Sequence, residues 1–591
     1  MVFSSVKFIG RVFILSLISI SFPSSQIMAQ SQDSIIRYDT INHPIKSDLG
    51  MVVSQQWLAS VVGAEILEKG GNAIDAAVAT GFALAAVLPR AGNIGGGGFM
   101  MIYLDKTDET VALDYREMAP GLAHKDLFLD PSGNVDNRMA RFSTKSAGVP
   151  GTVAGLIHAL DKYGTMSLAE VIQPAIKLAE NGFTVGGDLA TNLKRSEGRL
   201  GASPAGRKKF YPEGGGFYQK GDLFIQPDLA NTLKAIKENG RDGFYKGVVA
   251  DLIVEEMKRT GGLITLEDLD NFVVVEREPV VGAYRGHKVV SMPPTSSGGI
   301  HIIQMLNILE NFDMKAMGQG SAASIHILTE AMKLAYADRS EHLGDPDHWD
   351  VPRKWLTSKT YARELASQIS MEQARPSTDI KPGQPPIYES PDTTHYSVAD
   401  NQGNVVVNTY TLNFSYGSGI TVAGAGFLLN NEMDDFSAKA GTPNGYGLLG
   451  GEANSIQPLK RPLSSMTPTF VFKNGKPLLL TGSPGGSRII STVLQVVVNV
   501  LDYNFNVAEA VSRPRIHHQW MPDTLSVEPG FSVDTINILK AKGQNIGRSR
   551  IMGSANSIML SGNIFLGGAD PRRPDARAVA PQKIILLKPN S

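Results

Sequence analysis

The sequence predicts a layered α/β fold, in which strands pair into sheets and helices cover the sheets on both faces. Three features carry this prediction. Residues 73–88 are rich in alanine and apolar almost all round, as in a helix that is buried on every side. Residues 394–399 and 404–413 are β-rich runs joined by Asp, Asn, Gln and Gly, the pattern of a hairpin. Strand-like residues 477–480 precede a helix-like run at 487–500, and 591 residues suffice for more than one layer of core.

The first 29 residues have the composition of a secretory signal peptide. Lys7 and Arg11 precede an apolar run at 12–22, which is too short to span a bilayer comfortably, and the segment ends at Ala29. We expect cleavage after Ala29 and a periplasmic or secreted protein without a stable membrane anchor. No other segment offers about eighteen uninterrupted apolar residues. An uncleaved N-terminal anchor is the alternative.

Residues 54–89 are interpreted as two helices. The first ends at Gly70-Gly71, a common helix stop, and the second is the alanine-rich helix described above. Glycines then fill 92–98 before a predicted strand at 99–104. No Gly-Lys-Ser or Gly-Lys-Thr follows them, so a nucleotide site is a poor interpretation and tight packing near the active site is favoured.

The remaining elements follow from hydrophobic periodicity. A strand at 111–116 ends at Arg116, residues 160–370 are mostly helical with a β-rich interlude at 272–292, and residues 393–591 contain strands and two helices. The predicted helices after residue 160 are 167–181, 228–239, 248–260, 300–312, 323–342, 487–500 and 533–541, and the predicted C-terminal strands are 467–472, 477–480, 557–560 and 584–587.

Composition excludes several classes of function. The net charge of −1 and the 19% of charged residues give no basic surface for nucleic acid. The chain has no cysteine, which excludes thiol catalysis, disulfides and cysteine-ligated zinc. Its 11 histidines are scattered, and the pair His517-His518 stands alone. We therefore expect no metal site and no cofactor.

The stretch that begins at Asp392-Thr393 has the most distinctive chemistry in the chain. Prolines cluster in 376–391, which makes this segment an exposed connector that can be cut. If the bond between Asp392 and Thr393 breaks, Thr393 gains an α-amine with a pKa of about 7.7–8.0, which can act as the base for its own hydroxyl. Taken alone, Thr393 has a simpler interpretation as an ordinary strand residue, because threonine favours strands.

Three later segments supply polar groups that suit a reaction at a threonine. Residues 430–437 place three carboxylates in one short loop, and residues 461–468 supply paired hydroxyls. Residues 481–488 lie between a strand and a helix and contain Gly485-Gly486. Two adjacent glycines allow backbone N–H groups to point at an anion or at a developing oxyanion.

Several of these residues also have plain structural interpretations. Arg116 would pair with Glu117 or Asp114, and Glu432 and Asp435 would be solvated loop acids. A guanidinium nevertheless suits bidentate recognition of a carboxylate.

Taken together, the motifs resemble the γ-glutamyltransferase (γ-glutamyltranspeptidase) family of N-terminal nucleophile (Ntn) hydrolases. The resemblance covers nearly everything after residue 45. The matching motifs, in family order, are GGGGF at 95–99, LDYRE at 113–117, TTHYSV at 393–398, TYTLN at 409–413, NNEMDDFS at 430–437, PLSSM at 462–466 and GSPGGS at 482–487. The resemblance implies a four-layer αββα sandwich whose two central strands are the hairpin that starts at Thr393. It also implies a large subunit, 30–392, and a small subunit, 393–591, which form by self-cleavage and stay together as a heterodimer.

The resemblance assigns a role to each candidate site residue. It implies that Thr393 is the nucleophile, that Thr411 hydrogen-bonds it, and that Gly485 and Gly486 bind the oxyanion. The glutamyl carboxylate would be held by Arg116, Ser464 and Ser465, and the glutamyl ammonium by Asn413, Glu432 and Asp435. Tyr446 would belong to a lid at 441–447.

The implied activity is that of a glutathione hydrolase and γ-glutamyltransferase. The acyl group of glutathione or a related γ-glutamyl compound would pass to water, an amino acid or a peptide. A related Ntn acylase with a different acyl group is one alternative, although Arg116 and Asp435 argue against it. A periplasmic binding protein whose precursor never matures is the other, and the intact Thr393, Thr411 and Gly485-Gly486 set disfavours it.

Overall fold

The structure is a computed structural model that describes residues 41–383, 394–439, 441–449 and 452–582. The predicted signal peptide at 1–29, the cleavage site Asp392-Thr393 and the predicted strand at 584–587 lie outside these residues.

Two seven-stranded antiparallel sheets form the centre of the molecule. From edge to edge, the first sheet contains β1 (Ile45–Ser47), β17 (Ile564–Gly568), β16 (Ser557–Ser561), β13 (Lys476–Thr481), β12 (Thr469–Lys473), β9 (His287–Ser291) and β8 (Val280–Tyr284). The second contains β18 (Arg577–Val579), β2 (Gly50–Ser54), β10 (Thr394–Asp400), β11 (Val405–Thr411), β3 (Gly97–Leu104), β4 (Glu109–Tyr115) and β7 (Val275–Arg277). Two minor pairs are β5 (Phe183–Thr184) with β6 (Leu223–Phe224) and β14 (Ile516–His517) with β15 (Ser526–Val527).

The predicted hairpin is confirmed as β10 and β11, which lie in the middle of the second sheet. The two strands are antiparallel, with His395 opposite Thr409 and Ser397 opposite Val407. Alternate side chains of a strand point to opposite faces. Tyr396 therefore packs into a helix-facing core, while Val407 packs into the core shared with the first sheet.

One group of helices packs in the core on the outer side of the second sheet, and a few shorter ones lie near it. They are α1 (Trp57–Glu68), α2 (Ala73–Val87), α3 (Asn137–Phe142), α4 (Thr152–Tyr163), α5 (Leu168–Glu180), α6 (Gly187–Arg195), α7 (Glu197–Leu200), α8 (Pro204–Phe210), α9 (Pro227–Asn239), α10 (Asp242–Tyr245), α11 (Gly247–Thr260) and α12 (Leu266–Asp270). Helix α2 contacts β10 and β11 directly, and every one of its residues is buried. A capping box between Asn72 and Asp75 begins this helix by satisfying free backbone N–H groups.

A second group of helices covers the first sheet. They are α13 (Gly298–Leu309), α14 (Met314–Met317), α15 (Ala322–His342), α16 (Arg353–Leu356), α17 (Lys359–Ser367), α18 (Arg488–Leu501), α19 (Val507–Ser512) and α20 (Val533–Ala541). Helices, two sheets and helices thus follow one another as four layers, and the predicted αββα sandwich is confirmed.

The prediction is wrong in two short elements. The described residues after 393 form three α-helices rather than two, because α19 has only six residues and is too short to show a helical period. Ser54 ends the strand β2 rather than starting a helix. All five residues of β2 are buried, and so short an apolar run cannot be told from a buried helix by its pattern.

Candidate active site

The candidate site lies at the start of strand β10, at Thr394, directly after the predicted cleavage site. The hydroxyl of Thr394 donates to Oε1 of Gln55 at 3.1 Å, which fixes the start of the strand to the loop after β2. Thr393 itself lies outside the described residues.

His395 is a fully buried, neutral histidine two residues after the candidate nucleophile. Its Nδ1 lies 2.8 Å from the hydroxyl of Thr409, and its Nε2 lies 3.1 Å from the hydroxyl of Ser397. Because Ser397 donates its proton to the carbonyl of Asn556, His395 must donate from Nε2 and accept at Nδ1. Burial lowers the pKa of His395 to about 3. This histidine therefore orders the strand and carries no charge near neutral pH.

Thr411 and Asn413 come together at the end of β11. The backbone N–H of Asn413 donates to the hydroxyl oxygen of Thr411 at 2.7 Å. Asn413 has a left-handed backbone with a φ of 71°, and its side-chain N–H group donates to the carbonyl of Asn431 at 2.9 Å. Its Oδ1 is buried and accepts no hydrogen bond from the described residues. The asparagine thus presents an acceptor that a bound ammonium can use.

The glycine run packs tightly against this strand end, as the sequence predicts. A Cβ atom added at Gly96 would lie 1.8 Å from the carbonyl oxygen of Thr411, and one added at Gly95 would lie 2.2 Å from that of Leu428. Any side chain at these positions would push Thr411 or its neighbours out of place.

Arg116 is fully buried and lies at the centre of a charged cluster. Its two terminal nitrogens donate to the carboxylates of Glu432 and Asp435, and its Nε donates to the carbonyl of Pro462 at 3.0 Å. Glu117 is more distant, with its Oε2 3.6 Å from Nη1. The default pairing of Arg116 with its sequence neighbours is therefore secondary, and the interpretation of Glu432 and Asp435 as solvated acids is wrong.

The cluster contains three carboxyl groups around a single guanidinium. Burial raises the pKa values of Glu117, Glu432 and Asp435 well above their usual range, and Arg116 lowers each of them in part. Both carboxylate oxygens of Glu117, Oε2 of Glu432 and Oδ1 of Asp435 are buried without a hydrogen-bond donor among the described residues. Such groups are costly to bury alone and are stabilised by a cation.

Ser464 and Ser465 lie beside this cluster, next to a second buried arginine. Arg339 donates to the hydroxyl of Ser465 and, through Nε at 2.8 Å, to the hydroxyl of Ser297. Ser297 in turn donates to the carbonyl of Ser464 at 2.8 Å. A guanidinium only donates, so the hydroxyl of Ser465 keeps its own proton for another acceptor.

Arg339 is a site residue that the sequence analysis did not select. The signal that could have found it is its position on α15, where an arginine occurs within a helix whose residues are almost all buried. A fully buried arginine generally requires specific acceptors.

Gly485 and Gly486 form the turn that begins α18. Their φ angles are 139° and 65°, a region that other residues rarely adopt. Their carbonyl groups accept from the N–H groups of Arg488 and Ile489, while their own N–H groups donate to no acceptor among the described residues. The turn is braced by Ser483, whose hydroxyl donates to the carbonyl of Pro484 at 2.7 Å.

A small open cleft begins where these groups meet. Thr411, Asn413 and Gly485 line it together with Gln55. The structure therefore brings residues 411–413 and Gly485 to one place, with Gln55, the partner of Thr394, beside them.

The segment that carries Tyr446 lies over the adjacent loop. The ring of Tyr446 packs edge-on against Phe414 with ring centres 4.8 Å apart. The N–H group of Gly445 donates to Oδ2 of Asp434 at 3.2 Å, and Arg141 donates to the other oxygen of Asp434 at 3.0 Å. These contacts hold the candidate lid against the acidic loop.

Comparisons with known proteins agree with this arrangement. The family model described as Gamma-glutamyltranspeptidase matches residues 59–580. The chain is 53% identical over 571 residues to the glutathione hydrolase proenzyme of Escherichia coli (strain K12), covering 96% of this chain and 98% of the relative.

Two solved structures are similar to the fold. A γ-glutamyltranspeptidase chain from Helicobacter pylori is 50% identical, covers 59% of this chain and 97% of its own length, and has a TM-score of 0.55. A cephalosporin acylase from Bacillus halodurans is 28% identical, covers 93% of this chain and 98% of its own length, and has a TM-score of 0.81.

Proposed function

Since the chain belongs to the gamma-glutamyltranspeptidase family, we propose that it is a γ-glutamyltransferase and glutathione hydrolase made as a self-cleaving proenzyme. One observation carries the proposal: a buried guanidinium is paired with buried carboxylates that keep free oxygens, and their loop is hydrogen-bonded to Asn413, two residues beyond Thr411. This set matches a ligand that carries a carboxylate and an ammonium close together, as the glutamyl group does.

Maturation begins at the bond between Asp392 and Thr393. The hydroxyl oxygen of Thr393 attacks the carbonyl carbon of Asp392, the peptide C–N bond breaks, and the nitrogen takes the proton to become the α-amine. Water then hydrolyses the ester and regenerates the hydroxyl. The products are the large subunit, which is 30–392 after loss of the signal peptide, and the small subunit 393–591.

Contacts upstream of the cut support a heterodimer that stays together. Trp520 donates to the carbonyl of Ser377 at 2.9 Å, and the N–H group of Ser377 donates to Asp523 at 2.9 Å. Ser377 is on the large-subunit side, and both of its partners belong to the proposed small subunit. The 59% coverage by the Helicobacter chain also fits a solved chain that is only one part of a cut precursor.

The glutamyl group binds through its two charges. Its carboxylate accepts from Arg116 and from the hydroxyls of Ser464 and Ser465, of which Ser465 is oriented by Arg339. Its ammonium donates to the free oxygens of Asn413, Glu432 and Asp435. Both charges leave water only because each one meets a fixed partner of opposite sign or a hydrogen-bond acceptor.

Acyl transfer then uses the new N-terminus. The α-amine of Thr393 takes the hydroxyl proton while Oγ attacks the γ-carbonyl carbon, and the same proton passes to the leaving amine when the amide C–N bond breaks. The N–H groups of Gly485 and Gly486 stabilise the oxyanion, and one such donor lowers the barrier by about 2.7–4 kcal/mol. Thr411 orients the nucleophile by a hydrogen bond. Water or the amine of an amino acid or peptide then takes the acyl group, while Tyr446 covers the site.

A related acylase is the second candidate, because the cephalosporin acylase from Bacillus halodurans is similar over most of the chain. The buried charges of Arg116, Glu432 and Asp435 favour the γ-glutamyl donor. An acyl group without an ammonium would leave the carboxylate oxygens without a cation.

The proposed location is the periplasm or the medium, after removal of the signal peptide. Across the described residues, no helix has both the length and the apolar character needed to cross a membrane. The proposal rests on the composition of residues 1–29.

A donor series tests the function. Purified, cleaved protein is given glutathione, the matched glutaryl peptide that lacks the ammonium, and glutathione whose glutamyl α-carboxylate is an amide. The proposal predicts fast release from glutathione and a loss of about a hundredfold or more in kcat/KM for each of the other two. Equal turnover of the glutaryl donor would support the acylase, and no turnover of any donor by intact or cleaved protein would support the binding protein.

A further inference from the structure

The open cleft lined by Thr411 and Gly485 also contains two arginines, Arg90 and Arg573. We propose that Arg90, together with Arg573, binds the carboxylate of the leaving peptide or of the acceptor. This inference rests on the proposed function and assigns two residues to the recognition of the amine, through the carboxylate that it carries.

The position of the cleft makes it the path for the amine. The acyl side of the site is closed, because Arg116, Glu432 and Asp435 are at most 1% exposed. The cleft that is lined by Thr411, Asn413 and Gly485 is open to solvent. A leaving group on the far side of the reacting carbonyl therefore lies in this cleft, and an acceptor enters through it.

The charge of the lining selects what can bind there. Arg90 and Arg573 both line the cleft, and no described residue that lines it carries a carboxylate. Guanidinium groups bind carboxylates through paired hydrogen bonds. The leaving dipeptide of glutathione and any amino-acid acceptor each carry such a group near the amine.

Arg90 is held in place but retains a free donor. It is 8% exposed, and its carbonyl accepts from the N–H group of Tyr416 at 2.8 Å, which ties it to the loop after β11. Its Nε lies 3.4 Å from Oδ2 of Asp188, yet this buried N–H donates to no acceptor among the described residues. The carboxylate of Asp188 reduces the net positive charge around Arg90. Asp575 interacts electrostatically with both of these residues and with Arg577 and Lys220. A bound carboxylate would accept a hydrogen bond from Arg90, which Asp188 at 3.4 Å does not.

The test compares two acceptors with the cleaved enzyme and a donor whose leaving group has no carboxylate, γ-glutamyl-4-nitroanilide. Wild-type protein should have a KM for glycylglycine about tenfold or more below that for glycylglycine amide. Arg90→Gln should raise the glycylglycine KM by about tenfold and leave the amide KM and the hydrolysis of the donor unchanged. Arg90→Lys should recover part of the loss because it keeps the charge.

Two further variants make the result specific. Asp188→Asn should lower the glycylglycine KM, because it removes the competing carboxylate, and Arg573→Gln should raise it even if Arg90→Gln does not mature. Arg207→Gln is the matched control, since Arg207 pairs with Glu197 outside the cleft and should change neither acceptor.

The possible results distinguish a failure of this inference from a failure of the proposed function. Equal use of glycylglycine and its amide by the wild type, or an equal change of both in Arg90→Gln, would overturn the inference while leaving the γ-glutamyl activity intact. Absence of donor hydrolysis in the cleaved wild type would overturn the proposed function, and the inference with it.

Discussion

The two sides of Thr411 differ in how their charges are held. On the acyl side, Arg116, Glu432 and Asp435 are buried and contact each other directly. On the amine side, Arg90 and Arg573 line an open cleft. Charges that are buried against one another are expensive to leave unpaired, whereas a charge that lines an open cleft can exchange its partner for water or a ligand. The acyl group should therefore be strictly defined and the acceptor more variable.

The largest effect should follow from removing the charge at the centre of the acyl side. Arg116→Gln leaves three buried carboxylates without their cation, which should cost about 3–5 kcal/mol of stability. Hydrolysis of γ-glutamyl donors should fall by about a hundredfold or more. Thermal unfolding and donor kinetics measure the two effects.

The control for Arg116→Gln is Arg207→Gln, which breaks an exposed ion pair with Glu197. Surface pairs contribute about 0–1 kcal/mol. Equal effects of the two substitutions would contradict the distinction between the buried side and the exposed surface.

The next effect concerns acid stability, because the buried histidine behind the site is neutral. Burial lowers the pKa of His395 to about 3, below the value near 6.5 of an unfolded chain. The unfolded state therefore binds the proton first as the pH falls, and stability is lost between about pH 6.5 and 3, by about 1.4 kcal/mol per pH unit. His301 and His517, with pKa values lowered by burial to about 3 and about 4, add to the same trend.

Denaturant unfolding at pH 7, 6, 5 and 4 measures this slope. His395→Gln should reduce the slope of the unfolding free energy against pH by the contribution of one buried histidine. The matched control is His124→Gln, because His124 is exposed. An unchanged slope in His395→Gln would show that this histidine is already protonated or accessible in the folded state.

A smaller effect is expected at the boundary between the two sides. Thr411→Val removes the oxygen that accepts from the N–H group of Asn413 and leaves that buried donor unpaired, at a cost of about 1–3 kcal/mol. We expect kcat to fall by about tenfold or more, with little change in KM. Thr411→Ser keeps the hydroxyl and should retain most of the activity. Loss of kcat in both variants alike would exclude a role for the hydrogen bond.

The smallest effect should come from the lid. Tyr446→Ala removes an aromatic contact with Phe414 that is worth about 0.5–1.5 kcal/mol, so the donor KM should rise by about three- to tenfold. Tyr446→Phe keeps the ring and should behave as the wild type. An equal loss in Tyr446→Phe and Tyr446→Ala would mean that the hydroxyl, rather than the covering ring, matters.

Local patterns predicted the long elements of the fold and missed the short ones. Helix α2 and the β10–β11 hairpin have clear periods and end signals, so both could be found from the chain alone. Helix α19 and strand β2 have six and five residues, too few to reveal a period.

The site shows the same limit at longer range. Motif resemblance selected Arg116, Glu432 and Asp435, but their direct contacts join residues more than 300 positions apart. Arg339, Gln55 and Arg90 were missed because no local motif marks them, and only the folded arrangement brings them to Ser465, Thr394 and the cleft.

The central claim is that Thr393 becomes the nucleophile by self-cleavage. Intact mass and N-terminal sequencing of purified protein after incubation at neutral pH, alongside Thr393→Ala, test it most directly. The account predicts two fragments, the smaller beginning Thr-Thr-His-Tyr, in the wild type and an uncut chain in the variant. A wild-type chain that stays whole, or a variant that is cut at the same bond, would contradict it.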